Sequence, residues 1–360
     1  MLAETFFPPE VLLRIAQRAD SRTASNMMVS SKYAYAAVHV PAAWPRVEFN
    51  ALLGESAVNF MEFATECREL TVVHDSPRQI LRFLEAVAGL AVAQSVAVVT
   101  VRLVAIDFED GPRVSSKIFV ALAKFPNLET LTVNLGNAIA NFRLHGVSMP
   151  RLRTLRVVER SNPSDDMFYI AREELQSTVR FAGSTLPALE TLELSVASSD
   201  AVEVIPDNTM PALRRLVYRS RNDTYREVPA DMGRRHLDSL TLATHADPGG
   251  DACLQLMLKY GVISARHVTL LVSNTVSNTI ELEELPGVEE LTLVLALGAE
   301  VIVSWHVLKR LRAVNISGDG HGIFRVCDCL VVEFAEFWKN NVHTELHRDC
   351  VLVTDSRGFL

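Results

Sequence analysis

The chain has 360 residues, 49% of them hydrophobic and 22% charged, enough apolar material for a substantial core and too much for a disordered polymer. A formal net charge of -8 argues against a general nucleic-acid binder, because phosphate contacts call for a basic surface, and it disfavours binding to a membrane surface as well. Five cysteines, Cys67, Cys253, Cys327, Cys329 and Cys350, are odd in number, sparse and mostly in apolar company, which suits buried thiols in a reducing compartment.

The first ten residues hold two acidic residues and two prolines where a secretory leader needs basic residues and an unbroken apolar stretch, so a cytoplasmic or nuclear location is expected. Residues 7–40 then form a block of their own. Pro8 and Pro9 open it, and Glu10 to Ala16 reads as a helix, with Pro9 suited to its first position and Glu10 well placed against the dipole. Val11, Leu12, Ile15 and Ala16 share one face. After a break at Asp20-Ser21, Ala24 to Tyr35 reads as a second helix with Met27, Met28, Val29 and Tyr33 available for packing. Val38, Val40 and Trp44 lead onward.

Beyond Trp44 a phrase recurs, apolar-x-x-apolar-x-apolar, often announced by a proline two residues earlier, as in Pro126-Asn127-Leu128-Glu129-Thr130-Leu131-Thr132-Val133. Its first apolar residue falls at Leu128, Leu152, Leu189, Leu213, Leu237, Ala265, Val288 and Leu311, in steps of 24, 37, 24, 24, 28, 23 and 23 residues. Val96, Val99 and Val101 fit one step upstream, Cys67, Leu70 and Val72 one step before that, and Val47 with Phe49 reads as a first strand. Each phrase ends in the period-2 alternation of a short strand that cannot bury itself, so the strands are expected to stack as a parallel sheet in a solenoid. The connections return on the other face. Asp165 to Phe181 places Met167, Ile170, Ala171, Leu175 and Val179 at helical spacing, and Ala252 to Tyr260 does the same. The uncharged run Ala86 to Val101 is short of the roughly 20 residues of a membrane span and reads as a helix end followed by a buried strand.

At its N-terminus the chain resembles the F-box family. That family opens with Leu-Pro-x-Glu followed by aliphatics and an Ile, which stands here as Phe7-Pro8-Pro9-Glu10-Val11-Leu12-Leu13-Arg14-Ile15. A later family element, Val-Ser/Cys-x-Lys-Trp, stands as Val29-Ser30-Ser31-Lys32-Tyr33. Phe7, Ala19 and Tyr33 depart from the usual leucine, leucine and tryptophan. Followed through Trp44-Pro45 by the repeats, the order is similar to that of the F-box leucine-rich-repeat proteins, the substrate receptors of SCF-type cullin-RING ubiquitin ligases. The resemblance implies an α/β fold: a small all-α module over residues 1–45, an irregular leucine-rich-repeat solenoid with a parallel horseshoe sheet over 46–325, and a C-terminal cap over 326–360. It also implies a Skp-type adaptor, and through it a cullin complex, docked on Pro8, Pro9, Glu10, Leu12, Leu13, Ile15, Val29 and Lys32. The other reading of the same block is a helical cap sealing the apolar end of the array, in a non-catalytic interaction scaffold.

Residues that alternate with the buried ones point out from the sheet, and the middle of each phrase gives Thr71, Thr100, Thr132, Arg156, Glu193, Val217, Thr241, Thr269, Thr292 and Asn315. Arg153, Arg156, Arg215 and Arg219 stand near the centre, with Thr132 and Glu193 beside them as candidates for holding a target protein. Such arginines suit a carboxylate or phosphate, or else form a solvated face balanced by Glu159, Glu190 and Glu193. Catalytic signatures are missing: no phosphate-cradling glycine loop, no Gly-x-Ser-x-Gly elbow, no local acid pair that suggests acid/base work. Cys327-x-Cys329, His343-x3-His347 and Cys350 hold ligand types for zinc, but structural zinc sites usually leave at least two residues between paired cysteines. No metal, cofactor or enzymatic activity is expected.

Overall fold

The structure is a computed structural model that describes residues 11, 13, 14, 17, 40–50, 53–103, 111–136, 141–144, 146–159, 177–181, 183–196, 198–205, 209–220, 233–244, 261–272, 279–296, 298–318, 323–327, 339–340, 342–346 and 351–355. The chain divides into two compact units, one made of Met1–Arg160 with Ala182–Ala188 and the other of Ser161–Phe181 with Leu189–Leu360.

In the first unit the repeated phrase does what its spacing predicts. Strands β1 (Arg46–Asn50), β2 (Glu69–His74), β3 (Val98–Leu103), β4 (Thr130–Gly136) and β6 (Thr154–Glu159) lie side by side in chain order, all parallel. Val47, Leu70, Val99, Leu131 and Leu155 align as one buried row, each no more than 3% exposed. The returns hold helices α1 (Glu55–Phe63), α2 (Pro77–Ala88) and α3 (Gly111–Leu122), with β5 (Asn141–Arg143) after β4. Helix α2 buries Ile80, Leu81, Phe83, Leu84 and Val87, the i, i+3, i+4, i+7 stripe of a core-facing helix. At the amino end Trp44, 1% exposed, meets Phe60 edge to face at 4.9 Å, and Phe49 meets Phe83 at 5.1 Å, so the first rung is closed by aromatic packing.

The second unit repeats the same plan. It contains β7 (Thr178–Arg180), β8 (Thr191–Val196), β9 (Ser198–Ser199), α4 (Ala201–Val204), β10 (Arg215–Ser220), β11 (Arg235–Thr244) and β12 (Ile263–Val272). There follow β13 (Thr279–Leu282), β14 (Glu290–Leu295), β15 (Glu300–Ser304), α5 (Trp305–Leu308), β16 (Ala313–Gly318), β17 (Ile323–Cys327), β18 (Val342–Leu346) and β19 (Val351–Asp355). β8, β10, β11, β12, β14, β16 and β18 form one parallel ladder, again in chain order. Leu192, Leu216, Leu240, Val268, Leu291 and Val314 share a register row and are at most 1% exposed.

The prolines that announce the phrase have a physical role. Amide bonds from Leu128 to Phe125, Leu152 to Met149, Leu213 to Met210 and Val288 to Leu285 close a tight turn before each strand. Pro126, Pro150, Pro211 and Pro286 therefore occupy the second turn position, where a fixed φ near -65° is already correct. At the last of these Gly287 takes φ +75°, the left-handed conformation that a type II turn needs in its third place.

Two expectations change. Val179 lies in β7, so the helix expected over 165–181 does not reach its end, and its earlier residues fall outside the described ones, as does 252–260. The late returns carry strands where the sequence suggested helices or turns: β13, β15, β17 and β19 form a second parallel ladder. With only 23 residues per step, one return of four or five extended residues fits where a multi-turn helix does not. Past residue 325 the chain contributes a further rung, β18 on the large ladder and β19 on the small one.

Candidate binding face

Alternation fixes what the large ladders present. Buried residues face the core, and the intervening ones form transverse rows on the open side. In the first unit one such row runs Glu48, Thr71, Thr100, Thr132, Arg156. In the second it runs Glu193, Val217, Thr241, Thr269, Thr292 and Asn315, with Val217 buried at 7% exposure. Asn315 Nδ2 donates to Thr292 Oγ1 at 3.4 Å, so neighbouring rungs are linked through this face as well as through their backbones. Towards the carboxyl ends of the strands burial alternates from strand to strand: Val73 and Asn134 are 8% exposed with the exposed Arg102 between them, and Ser195 and Leu271, 1% and 3% exposed, lie beside the half-buried Arg219 and Ala243.

The candidate residues are distributed over both units. Thr132 and Arg156 are register partners in the first, half-buried and exposed respectively, while Arg153 precedes β6, exposed, its amide bonded to Glu129 O at 2.8 Å. Arg215 and Arg219 lie on β10 in the second unit, with Glu193 opposite Val217, the residue between them. Arg215 is exposed and Arg219 half-buried. Register brings in Thr191 and Ser239, which flank Arg215 on β8 and β11 and which residue type alone did not single out.

Further along the same row Ser239, His267 and Glu290 are successive register partners, an order that on paper suggests a nucleophile, a base and an acid. The contacts argue otherwise. His267 Nδ1 lies 3.0 Å from Asp238 O and Nε2 lies 3.4 Å from Glu290 Oε2, so each ring nitrogen is directed at a partner other than the Ser239 hydroxyl.

Of the adaptor-docking candidates, Leu13 is helical and half-buried, as are its helical neighbours Val11, Arg14 and Gln17 in conformation, with Val11 37% exposed. Gln17 Nε2 donates to Ala42 O at 3.0 Å. Pro8, Pro9, Glu10, Leu12, Ile15, Val29 and Lys32 lie outside the described residues. Cys327 sits on the small ladder in β17 and His343 on the large ladder in β18; Cys329, His347 and Cys350 are outside the described residues. Among the described residues no three His, Cys, Asp or Glu side chains converge to hold a metal ion, and no helix is long and apolar enough to cross a membrane. No family model matches the chain, and no curated protein matches it.

Proposed function

We propose that this chain is the substrate-recognition subunit of an SCF-type cullin-RING ubiquitin ligase, its N-terminal F-box-like block docking a Skp-type adaptor and its leucine-rich-repeat ladder holding a target protein on the open face. The observation that carries the reading is the direct succession of the two parts: the Phe7-Pro8-Pro9-Glu10 block leads through the buried Trp44 into a ladder whose first strand begins at Arg46. Val11, apolar yet exposed on its helix, is the kind of side chain an adaptor would cover. The chain then contributes proximity, raising the effective concentration of the target beside the ligase.

One contact favours a second reading. The bond from Gln17 to Ala42 ties the helix to the junction before the first rung, as a solenoid cap requires. The two readings separate on the full-length chain presented to a purified Skp-type adaptor. Docking predicts capture by the wild type and at least a tenfold loss in the double variant Glu10→Lys, Val11→Asp, with its melting temperature unchanged. A cap predicts capture by neither protein, and the result to look for then is a lowered melting temperature in Leu13→Ala.

A further inference from the structure

On the open face of the second unit one cation stands between two hydroxyls. Arg215 is exposed and, among the described residues, makes no ion pair or hydrogen bond through its side chain. Its register partners are Thr191 on β8 and Ser239 on β11, both half-exposed and likewise unengaged. Leu192, Leu216 and Leu240, the next residues along, are 0% exposed and face the core, so alternation turns all three polar side chains outward together. Adjacent strands are about 4.8 Å apart, so each hydroxyl lies one strand spacing from Arg215 and a small group held by the guanidinium can also reach the hydroxyl on one side or the other. Glu190 and Asp238 flank the neighbouring Arg214, and Glu193 is displaced by one strand and two residues, about 8 Å by strand geometry; Glu190 and Glu193 have interactions of their own. On the far side His267 and Glu290 close on each other and leave the site open.

We propose that Thr191, Arg215 and Ser239 form an oxyanion-reading site, taking a carboxylate or a phosphoryl group carried by a segment of the target protein. The guanidinium supplies paired N–H donors in a plane that matches either group, and the hydroxyl of Thr191 or of Ser239 can add an O–H donor from its side. An anion here neutralises a cation for which the described residues supply no ion-pair partner. This rests on the reading that the open face holds the target, and it adds what that target must carry.

The test uses the full-length chain against immobilised peptide libraries, degenerate except for a central phosphoserine, glutamate or serine. Retention of the phosphoserine or glutamate library at least tenfold over the serine library is expected, and which of the two is preferred tells a phosphorylated target from an acidic one. Arg215→Gln should abolish the preference, Arg215→Lys keep part of it, and Ser239→Ala reduce it, all with unchanged thermal melts. Equal retention of the three libraries, no retention of any, or an intact preference in Arg215→Gln would overturn the site. Adaptor capture by the same preparations reads the ligase assignment separately, since Arg215 lies in the other unit from the N-terminal block.

Discussion

Cys67 holds the marker position that leucines hold in other rungs, and the fold treats it as a small hydrophobe. It is 0% exposed, with Sγ donating to Glu69 O at 3.3 Å. Burial pushes its thiol from 9.0 up to about 12, outweighing the hydrogen bonds to the Glu69 and Val47 backbone that favour the thiolate. The native state therefore keeps a proton that the unfolded chain gives up near pH 9. Stability from this group is complete below pH 9 and is lost as pH rises towards 12, where the folded state must either ionise a buried thiol or unfold. At pH 8 Cys67 should resist iodoacetamide in the native protein and react at the rate of an ordinary thiol in denaturant, read by mass mapping of its peptide. Cys67→Ala should flatten the fall of the unfolding midpoint between pH 9 and 11. Fast native labelling, or an unchanged slope in the variant, would show that the thiol is not held as described.

Strand elements are kept in register by more than their apolar rows. Just before β8, β10, β14 and β16, and at the matching places within the longer β11 and β12, Glu190, Arg214, Asp238, Arg266, Glu289 and Arg312 occupy equivalent positions, the backbone bonds running Arg214 to Glu190, Asp238 to Arg214, Glu289 to Arg266 and Arg312 to Glu289. Their charges alternate rung by rung. Glu289 lies 3.3 Å from Arg266 Nε and 2.9 Å from Arg312 Nη1, a carboxylate shared by two arginines. Exposed pairs of this kind contribute on the order of 0.2–1 kcal/mol each, so Glu289→Gln should cost little, whereas Glu289→Arg lines up three cations and should cost about 1–2 kcal/mol. Chemical denaturation at low and about 0.5 M salt checks this, because screening should remove most of the penalty; a salt-independent loss would point to packing instead. Such rows were legible in the sequence once the phrase was aligned, and so were the buried rows, including Cys67 and Ala265 at marker positions. The return strands were not. Thr279–Leu282 and Glu300–Ser304 are too short for periodicity to tell strand from helix, and what decides is the neighbouring rung offering an unpaired edge. The site shows the same division: residue type drew attention to four arginines together, but only register shows which of them stands between hydroxyls.

For each unit as a whole, stability should behave as a sum over neighbouring rungs, because each strand of a ladder pairs only with the one before and the one after. In the second unit that makes the position of a defect matter as much as its size. Leu240 is 0% exposed on β11 in mid-ladder, and Ile316 is 2% exposed on β16, next to the last strand of the large sheet. Truncating either to Ala removes a comparable apolar group at a cost of about 2–5 kcal/mol. The consequences should differ. Ile316→Ala should release amide protection in peptides from β14, β16 and β18 while those from β8, β10 and β11 stay protected, since the loss frays one end. Leu240→Ala cuts the ladder in its middle and should speed exchange on both sides, from β8 through β14. Hydrogen exchange read by mass spectrometry distinguishes the two patterns. A uniform loss of protection across the unit in both variants would mean that it opens as a single cooperative block, and that the rungs, however regular, do not hold their stability one by one.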